Sequence, residues 1–259
     1  MSFIEVKKAH VICKDVKIYI PGNQFFIDKQ EVNNILELDS HTLVGRRVEG
    51  INIHDLEKKL QSNPFIESAK VFTDMDGIIR VEISQRQPIL RVMNKFDQDF
   101  YIDQHGLKIP LSTNFTARVL AANGNIDEPF GNKVDTLKSD VAKELFRAAD
   151  FIAKDSLWDA QIGQMYVNDS KEIELIPRVG SQRILLGHAD SLATRFNNLL
   201  AFYKQALPKV GWDKYKIINI KYANQIVGVK NQLTKADSLK LKAQRDSIKS
   251  AKDTSQIQH

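Results

Sequence analysis

Cysteine is all but absent from this chain: Cys13 is the only one in 259 residues, which excludes an internal disulfide and any multi-cysteine metal site. It sits beside Val11 and Ile12 ahead of the first strand-like run, where a small, half-buried residue is expected rather than a reactive thiol. Long apolar runs are also missing. Nothing approaches the roughly 20 apolar residues of a membrane-spanning helix, and the N-terminus lacks the apolar core of a signal peptide. Chemistry-bearing constellations are equally scarce. The six histidines, His10, His41, His54, His105, His188 and His259, are scattered, with no H-E-x-x-H and no carboxylates at ligand spacing. His105 beside Gly106 reads as a turn residue, because a base needs an orienting partner. Gly180-Ser181 lacks the flanks of a nucleophile elbow, and no glycine-rich loop opens a helix as phosphate cradles do. The expectation is a non-enzymatic protein with no metal and no cofactor.

The composition, 42% hydrophobic and 27% charged, describes a folded chain long enough for one large domain or two small ones. Its net charge of +5 suggests nucleic acid until it is located. From Leu233 onward six basic residues face three acidic ones, so +3 of the total lies in the last 27 residues and the body is close to neutral. A nucleic-acid face would gather basic residues with aromatics or a readable motif, and neither is found. The segment 233–259 has no glycine, proline or aromatic residue and too few apolar positions for a core; a solvated, partly helical or disordered tail is expected.

What is present is patterned. Residues 52–85 read NIHDLEKKLQSNPFIESAKVFTDMDGIIRVEISQ. Asn52 is a good helix cap with Asp55 three residues on, and Ile53, Leu56 and Leu60 follow at helical spacing until Asn63-Pro64 stops them. Ala69 and Val71 alternate with Lys70 and Phe72, then Asp74 to Gly77 turns the chain into Ile79, Val81 and Ile83, which alternate with Arg80, Glu82 and Ser84. This is a strong hairpin signal that points Ile79, Val81 and Ile83 inward and leaves Lys70, Arg80 and Glu82 as a solvated face. Upstream, residues 16–20 read as a strand, and Asp28 to Glu31 as a capping box opening a helix with Val32, Ile35 and Leu36. The order strand, helix, helix, strand, strand, with N-P-F-I after the second helix and Q-R-Q-P after the last strand, resembles a POTRA domain, a non-catalytic module that docks other chains.

Beyond it, Pro88 is expected to end the third strand. Residues 89–92 form another apolar run, and Phe100 to Ile102 and Leu107 to Ile109 flank a turn with Gly106 at the position needing positive φ. A strand is expected over 116–122, with a loop at Asn123-Gly124-Asn125 and Glu128-Pro129. A helix follows with Leu137, Val141, Leu145, Ala148, Ala149 and Ile152 on one stripe. Strands are then expected at 165–167, 172–177 and 182–186. A second helix carries Leu192, Phe196, Leu199, Leu200, Tyr203 and Leu207 and is closed by Pro208. An antiparallel pair, 215–222 and 226–230, ends the folded part.

The runs FYIDQHGLKIPL, RVLAA with NGN, FIAKDSLW, MYVNDSKEIELIPRVGSQRILLG, SLATRFNNLLAFYKQAL and INIKYANQIVGVK stand in the order found in FtsQ, called DivIB in other bacteria. The signature Y-x-x-I-(N/D)-(I/L)-(K/R)-Y is met by Tyr215, Ile218, Asn219, Ile220, Lys221 and Tyr222. The resemblance covers roughly residues 16–230, is to the Bacteroidetes type of the family, and departs at Asn219, Lys221 and Asn224-Gln225. It implies an α+β fold: a membrane-proximal segment at 1–15, a β-α-α-β-β POTRA domain at 16–88, a larger mixed β domain with antiparallel strands and two helices at 89–232, and the tail. It implies a divisome scaffold anchored in the inner membrane by a single span before Met1, which is then an artificial start, with this region in the periplasm. The POTRA strands 16–20 and 68–73 and its helix faces are expected to dock division proteins. The C-terminal strand region is expected to bind the FtsB-like subunit of an FtsB/FtsL pair by strand addition, through Tyr222, Asn224 and Gln225 with Val227 and Val229 supporting; Tyr222 as an ordinary packed strand aromatic is the competing reading. Two other classes stand as alternatives: a POTRA-bearing component of an outer-membrane assembly or secretion system, which would lead into a transmembrane barrel, and an enzyme, which would need a convergent polar site.

Overall fold

The computed structural model describes residues 11–22, 25–36 and 43–231. Most of the membrane-proximal segment, the tail, His10, His41 and His259 lie outside the described residues. The architecture is α+β, in two units that each build a sheet.

The first unit runs β1 (Asp15–Tyr19), α1 (Lys29–Leu36), α2 (Ile53–Gln61), β2 (Ile66–Thr73) and β3 (Ile78–Gln85), the order expected of a POTRA domain. β3 is central, parallel to β1 and antiparallel to β2. Local chemistry sets each boundary. Asp28 Oδ1 accepts the Glu31 N–H at 2.8 Å to open α1, and Asn52 Oδ1 accepts the Asp55 N–H at 3.3 Å to open α2, each satisfying an amide the helix cannot. In the hairpin, Asp74 Oδ1 accepts the N–H groups of both Asp76 and Ile78 at 3.0 Å, while Gly77 takes the left-handed φ of 80°. Ile79, Val81 and Ile83 face the helices and are buried with Val32, Leu36, Leu56 and Leu60. Cys13 is fully rather than half buried, because it joins this core; burial pushes its thiol pKa up, which removes the reactive thiolate form at neutral pH.

The second unit comprises β4 (Pro88–Met93), β5 (Asp99–Asp103), β6 (Leu107–Pro110), β7 (Leu120–Gly124), β8 (Asp135–Thr136), α3 (Asp140–Ala153), α4 (Ser156–Gln161), β9 (Ile162–Val167), β10 (Ile173–Pro177), β11 (Arg183–Gly187), α5 (Leu192–Gln205), α6 (Leu207–Val210), β12 (Tyr215–Asn219) and β13 (Val227–Lys230). They form one ten-stranded sheet in the order β13-β12-β11-β10-β9-β7-β4-β5-β6-β8. One face, carrying Leu90, Val92, Ile102, Met165, Leu175, Ile184 and Ile218, is buried against Leu145, Ala149 and Ile152 of α3 and Phe196 and Leu199 of α5. Behind it, Glu128 is fully buried. Its carboxylate accepts from Lys108 Nζ at 2.6 Å and from the N–H groups of Lys138 at 3.0 Å and Ser139 at 2.7 Å.

Several expectations are corrected. Pro88 does not end β3, which stops at Gln85; it is the first residue of β4, where a missing amide costs least. Residues 116–119 are not strand, because β7 finds partners only from Leu120, opposite Leu90 of β4; Asn123 and Gly124, expected in a loop, pair with Tyr166 and Val167 of β9. Leu137 precedes the Ser139 cap of α3, and the run that ends at Trp158 is two helices, since Asp155 caps α4 through the N–H groups of Leu157 and Trp158. Pro208 does not close α5 but lies in the first turn of α6, where proline is tolerated. Finally β12 stops at Asn219, so Tyr222 lies in a bend beyond the strand.

The two units meet through an aromatic joint. Phe26, fully buried, stacks on Phe65 at 5.2 Å and meets Phe115 and Tyr101 edge-on at 5.0 and 6.0 Å. Around it, Arg86 Nη1 donates to Asp103 at 2.9 Å, the Ile27 N–H to Gln85 Oε1 at 3.1 Å, and the Gln104 N–H to the Gln87 carbonyl at 2.8 Å. His105 is a turn residue, as expected, and its Nε2 lies 2.7 Å from Glu67 of β2.

Candidate partner-binding site

The site is built where β12 and β13 end the large sheet. Three turns of chemistry place β12: α6 closes at Gly211, a 3-10 turn follows over Trp212–Lys214, and Tyr215 begins the strand. Tyr215 packs at 5.5 Å on Phe202 of α5. Its ring also lies over Gly228, where a Cβ would stand 2.6 Å from two ring carbons, so β13 needs glycine there for close approach rather than for turn geometry. Ile218 and Ile220 are fully buried, and the Ile220 N–H reaches the Leu185 carbonyl at 3.0 Å. Asn219 Oδ1 accepts the Lys221 N–H at 3.0 Å. Lys221 pairs with Glu172 and holds that carboxyl below its ordinary range. Asn198 of α5 donates to the Ala223 carbonyl at 2.6 Å and so fixes the connection between β12 and β13 from beneath.

The five residues singled out from sequence fall together on this connection and strand. Tyr222 is 52% exposed, Val227 42% and Val229 48%; Asn224 and Gln225 are exposed in the turn. A packed strand aromatic is therefore not what Tyr222 is. β13 pairs with β12 on one side, and among the described residues no strand pairs with the other. The Asn231 N–H goes to the Lys214 carbonyl at 2.8 Å, and Val229 and Val227 oppose Ile217 and Asn219. By alternation the main-chain groups of Gly228 and Lys230 point away from the sheet, and their amides and carbonyls form the open edge. The side chains of Val227 and Val229 stand on the face opposite α5.

Charge gathers at one end of this edge. Lys204, Lys209, Lys214, Lys216 and Lys230 are exposed, and among the described residues none has an ion-pair partner. The pairing of Tyr215 with Lys230 is what brings the last of them to the others. Sequence reasoning missed Gly228, Lys230 and these lysines as site features; only the register reveals them. No cluster of three or more His, Cys, Asp or Glu among the described residues could hold a metal ion.

Comparison with known families bears on this geometry directly. The family model described as FtsQ/DivIB, C-terminal related, matches residues 87–229, more than half of the chain. The chain belongs to the FtsQ/DivIB family. A second model, for a POTRA-like domain, matches residues 11–84. Neither specifies the Bacteroidetes type. No curated protein matches the chain. The FtsQ/DivIB family is a family of non-enzymatic cell-division scaffolds, and in this member the signature residues Tyr215, Ile218, Asn219, Ile220 and Lys221 do structural work beneath an exposed hairpin. No helix among the described residues is long and apolar enough to cross a membrane.

Proposed function

We propose that this protein is a divisome scaffold that captures an FtsB/FtsL-like complex by adding a partner strand to β13, with the N-terminal unit docking further division proteins. The observation that carries the reading is the open edge at Gly228 and Lys230, bordered by exposed Tyr222, Asn224, Gln225, Val227 and Val229. A strand laid along it satisfies main-chain groups that are otherwise left to water, while Tyr222 and the two valines select side chains. The five unpaired lysines make encounter faster with an acidic partner segment and make binding salt-dependent. In this reading the POTRA domain spans 16–88, the β domain 89–232 and a solvated tail the rest. A single span upstream anchors the protein in the inner membrane with this region in the periplasm. The family match favours it over a component of an outer-membrane assembly.

The register chooses the test. A proline at Val229 would remove an N–H that faces Ile217 of β12 and so break the sheet itself. Lys230→Pro removes an outward N–H instead. One lost hydrogen bond of about 0.5–1.5 kcal/mol weakens binding of the partner's extracytoplasmic segment by about 2- to 13-fold, with thermal unfolding little changed. Tyr222→Glu, at an exposed position, is expected to lose more. Unchanged affinity in both folded variants, measured by calorimetry, defeats the assignment.

A further inference from the structure

Protein interiors are packed to the density of organic crystals, yet the second unit keeps a cavity of about 180 Å³ away from the β12–β13 hairpin. It lies where β4 and β7 begin, against the last turn of α3 and beside α4. In the sheet, β11, β10 and β9 stand between β7 and β12. The inner wall is Pro88, Leu120, Ala149 and Ile152, all buried and none with a polar side chain. α3 leaves the space open because Ala149 and Ala153, four residues apart on one face, each present only a methyl group. The mouth is different. Arg118, Ala153 and Asp159 line it and are exposed. The Asp155 cap starts α4 afresh after α3, Trp158 turns inward at 3% exposure, and the next residue, Asp159, is left outside. Arg118 precedes β7, in the stretch that finds no strand partner. Among the described residues neither the Arg118 guanidinium nor the Asp159 carboxylate has an ion-pair or hydrogen-bond partner, so the two do not close the mouth by pairing with each other.

We propose that this cavity is a second docking site, which takes one large apolar side chain from an extended segment of another protein, with a carboxylate of that segment on Arg118 and a cation on Asp159. Size selects the occupant. Small-molecule sites run to about 300–1,000 Å³ and gather several convergent polar groups, whereas a dry apolar cavity of about 150 Å³ holds a benzene ring. The space here fits a single leucine or phenylalanine side chain, and its inner wall offers a polar ligand no side chain to bond. Water fills it poorly, since a buried water needs two to four polar partners. Charge selects the neighbours. A fully desolvated pocket inside a polar rim is where an interface places its anchor residue, and two free rim charges of opposite sign are matched by the opposite pair on the partner. The inference goes beyond strand addition at β13 and is independent of it.

The experiment uses the full chain with its alanine and isoleucine methyl groups labelled for NMR, titrated to millimolar concentration with the peptide Glu-Gly-Leu-Gly-Lys and with its reverse, Lys-Gly-Leu-Gly-Glu. Shifts at the Ala149 and Ile152 methyls are the expected result. Replacing the peptide leucine by glycine should weaken binding about tenfold or more, and the two charge orders should differ about threefold. Exchanging the rim charges, Arg118→Glu with Asp159→Lys, should reverse that preference, which loss of packing alone cannot do; both positions are exposed, so the fold is kept. Ala153→Leu fills the mouth from an exposed position and should abolish the shifts with thermal unfolding unchanged or raised. Absence of methyl shifts with both peptides, equal binding of the leucine and glycine peptides, or a charge preference that the exchange leaves as it was overturns the proposal. So does free leucine binding as tightly as the peptides, or self-association of the chain that Ala153→Leu abolishes. Lys230→Pro should leave the titration unchanged; a loss in that variant puts the peptide at β13 and overturns the cavity assignment, while a failed titration here leaves strand addition at β13 standing.

Discussion

Replacing Phe26 by alanine is expected to loosen the joint between the two sheets without emptying either main core. Phe26 is fully buried yet belongs to neither large cluster; it packs with Tyr101, Ile109 and Ala117 and touches Phe65 and Phe115. Truncating a buried phenylalanine costs about 3–5 kcal/mol through lost transfer energy and the cavity left behind. The stack on Phe65 and the edge contacts with Tyr101 and Phe115 place the cost toward the upper part of that range, since each aromatic pair adds about 0.5–1.5 kcal/mol beyond area. Against a total stability of about 5–15 kcal/mol for a domain, that loss is large enough to separate the units. The Arg86–Asp103 contact that remains across the joint is worth about 0.5–3 kcal/mol. Urea unfolding of Phe26→Ala should therefore split into two transitions or shift by the stated amount, and distances between spin labels placed on β2 and β10 should broaden. Phe25→Ala is the control: Phe25 is 66% exposed and its loss should cost under about 1 kcal/mol. Equal effects of the two substitutions, or a Phe26→Ala protein with the parent's unfolding curve and label distances, would refute the joint.

Gly228→Ala should destabilise the last hairpin by about 1–3 kcal/mol, because its Cβ meets the Tyr215 ring at 2.6 Å; faster amide exchange confined to β12 and β13, with weaker partner binding, is the expected outcome, and unchanged exchange would show that the ring moves freely. Glu128 gives a pH prediction. Burial pushes its carboxyl pKa up, but Lys108, Ser139 and the Lys138 amide outweigh burial and leave it below its ordinary value of 4.5. A depressed folded pKa means that the charged carboxylate stabilises the fold above the unfolded value and that this contribution is lost as pH falls through the folded one. The difference in stability between the parent and Glu128→Gln should thus be constant above about pH 5 and shrink below about pH 4.5; a difference independent of pH down to pH 3 would contradict it.

Much of the first unit was legible because its instructions are local. Asn52, Asp28 and Asp74 each bond amides within four residues, so the caps and the hairpin can be read without knowing the fold. The second unit was legible in its elements and not in their limits. Whether residues 116–119 extend depends on whether β4 offers a partner, and β4 begins only at Pro88. The same rule shortened β12: β11 pairs with it only from Ile217 to Asn219, and beyond the Ile220 N–H, which still reaches the Leu185 carbonyl, the alternation that continues to Tyr222 finds no strand partner. The joint was illegible for the opposite reason, since Phe26, Phe65, Tyr101 and Phe115 come from four separate connections and strands, and no periodicity links them.

The same distinction bears on what the family signature can specify. Tyr215 covers Gly228, Ile218 and Ile220 fill the core, Asn219 holds the Lys221 amide, and Lys221 is tied to Glu172. Every one of these contacts is internal, so the motif fixes where the sheet stops and which strand is left at its edge. None of it can distinguish one partner from another, because an open ladder accepts any extended chain free of proline at the pairing positions. If a partner strand pairs with β13 as proposed, selection falls to side chains that face solvent: Tyr222 at the end of the motif, Val227 and Val229 on one face, and the lysines gathered by the Tyr215–Lys230 pairing at one end. These positions can vary without disturbing the frame, since surface changes away from special features cost within about 0.5 kcal/mol. A scaffold organised this way can change partners by drift at its exposed edge residues while the motif that identifies it stays unaltered.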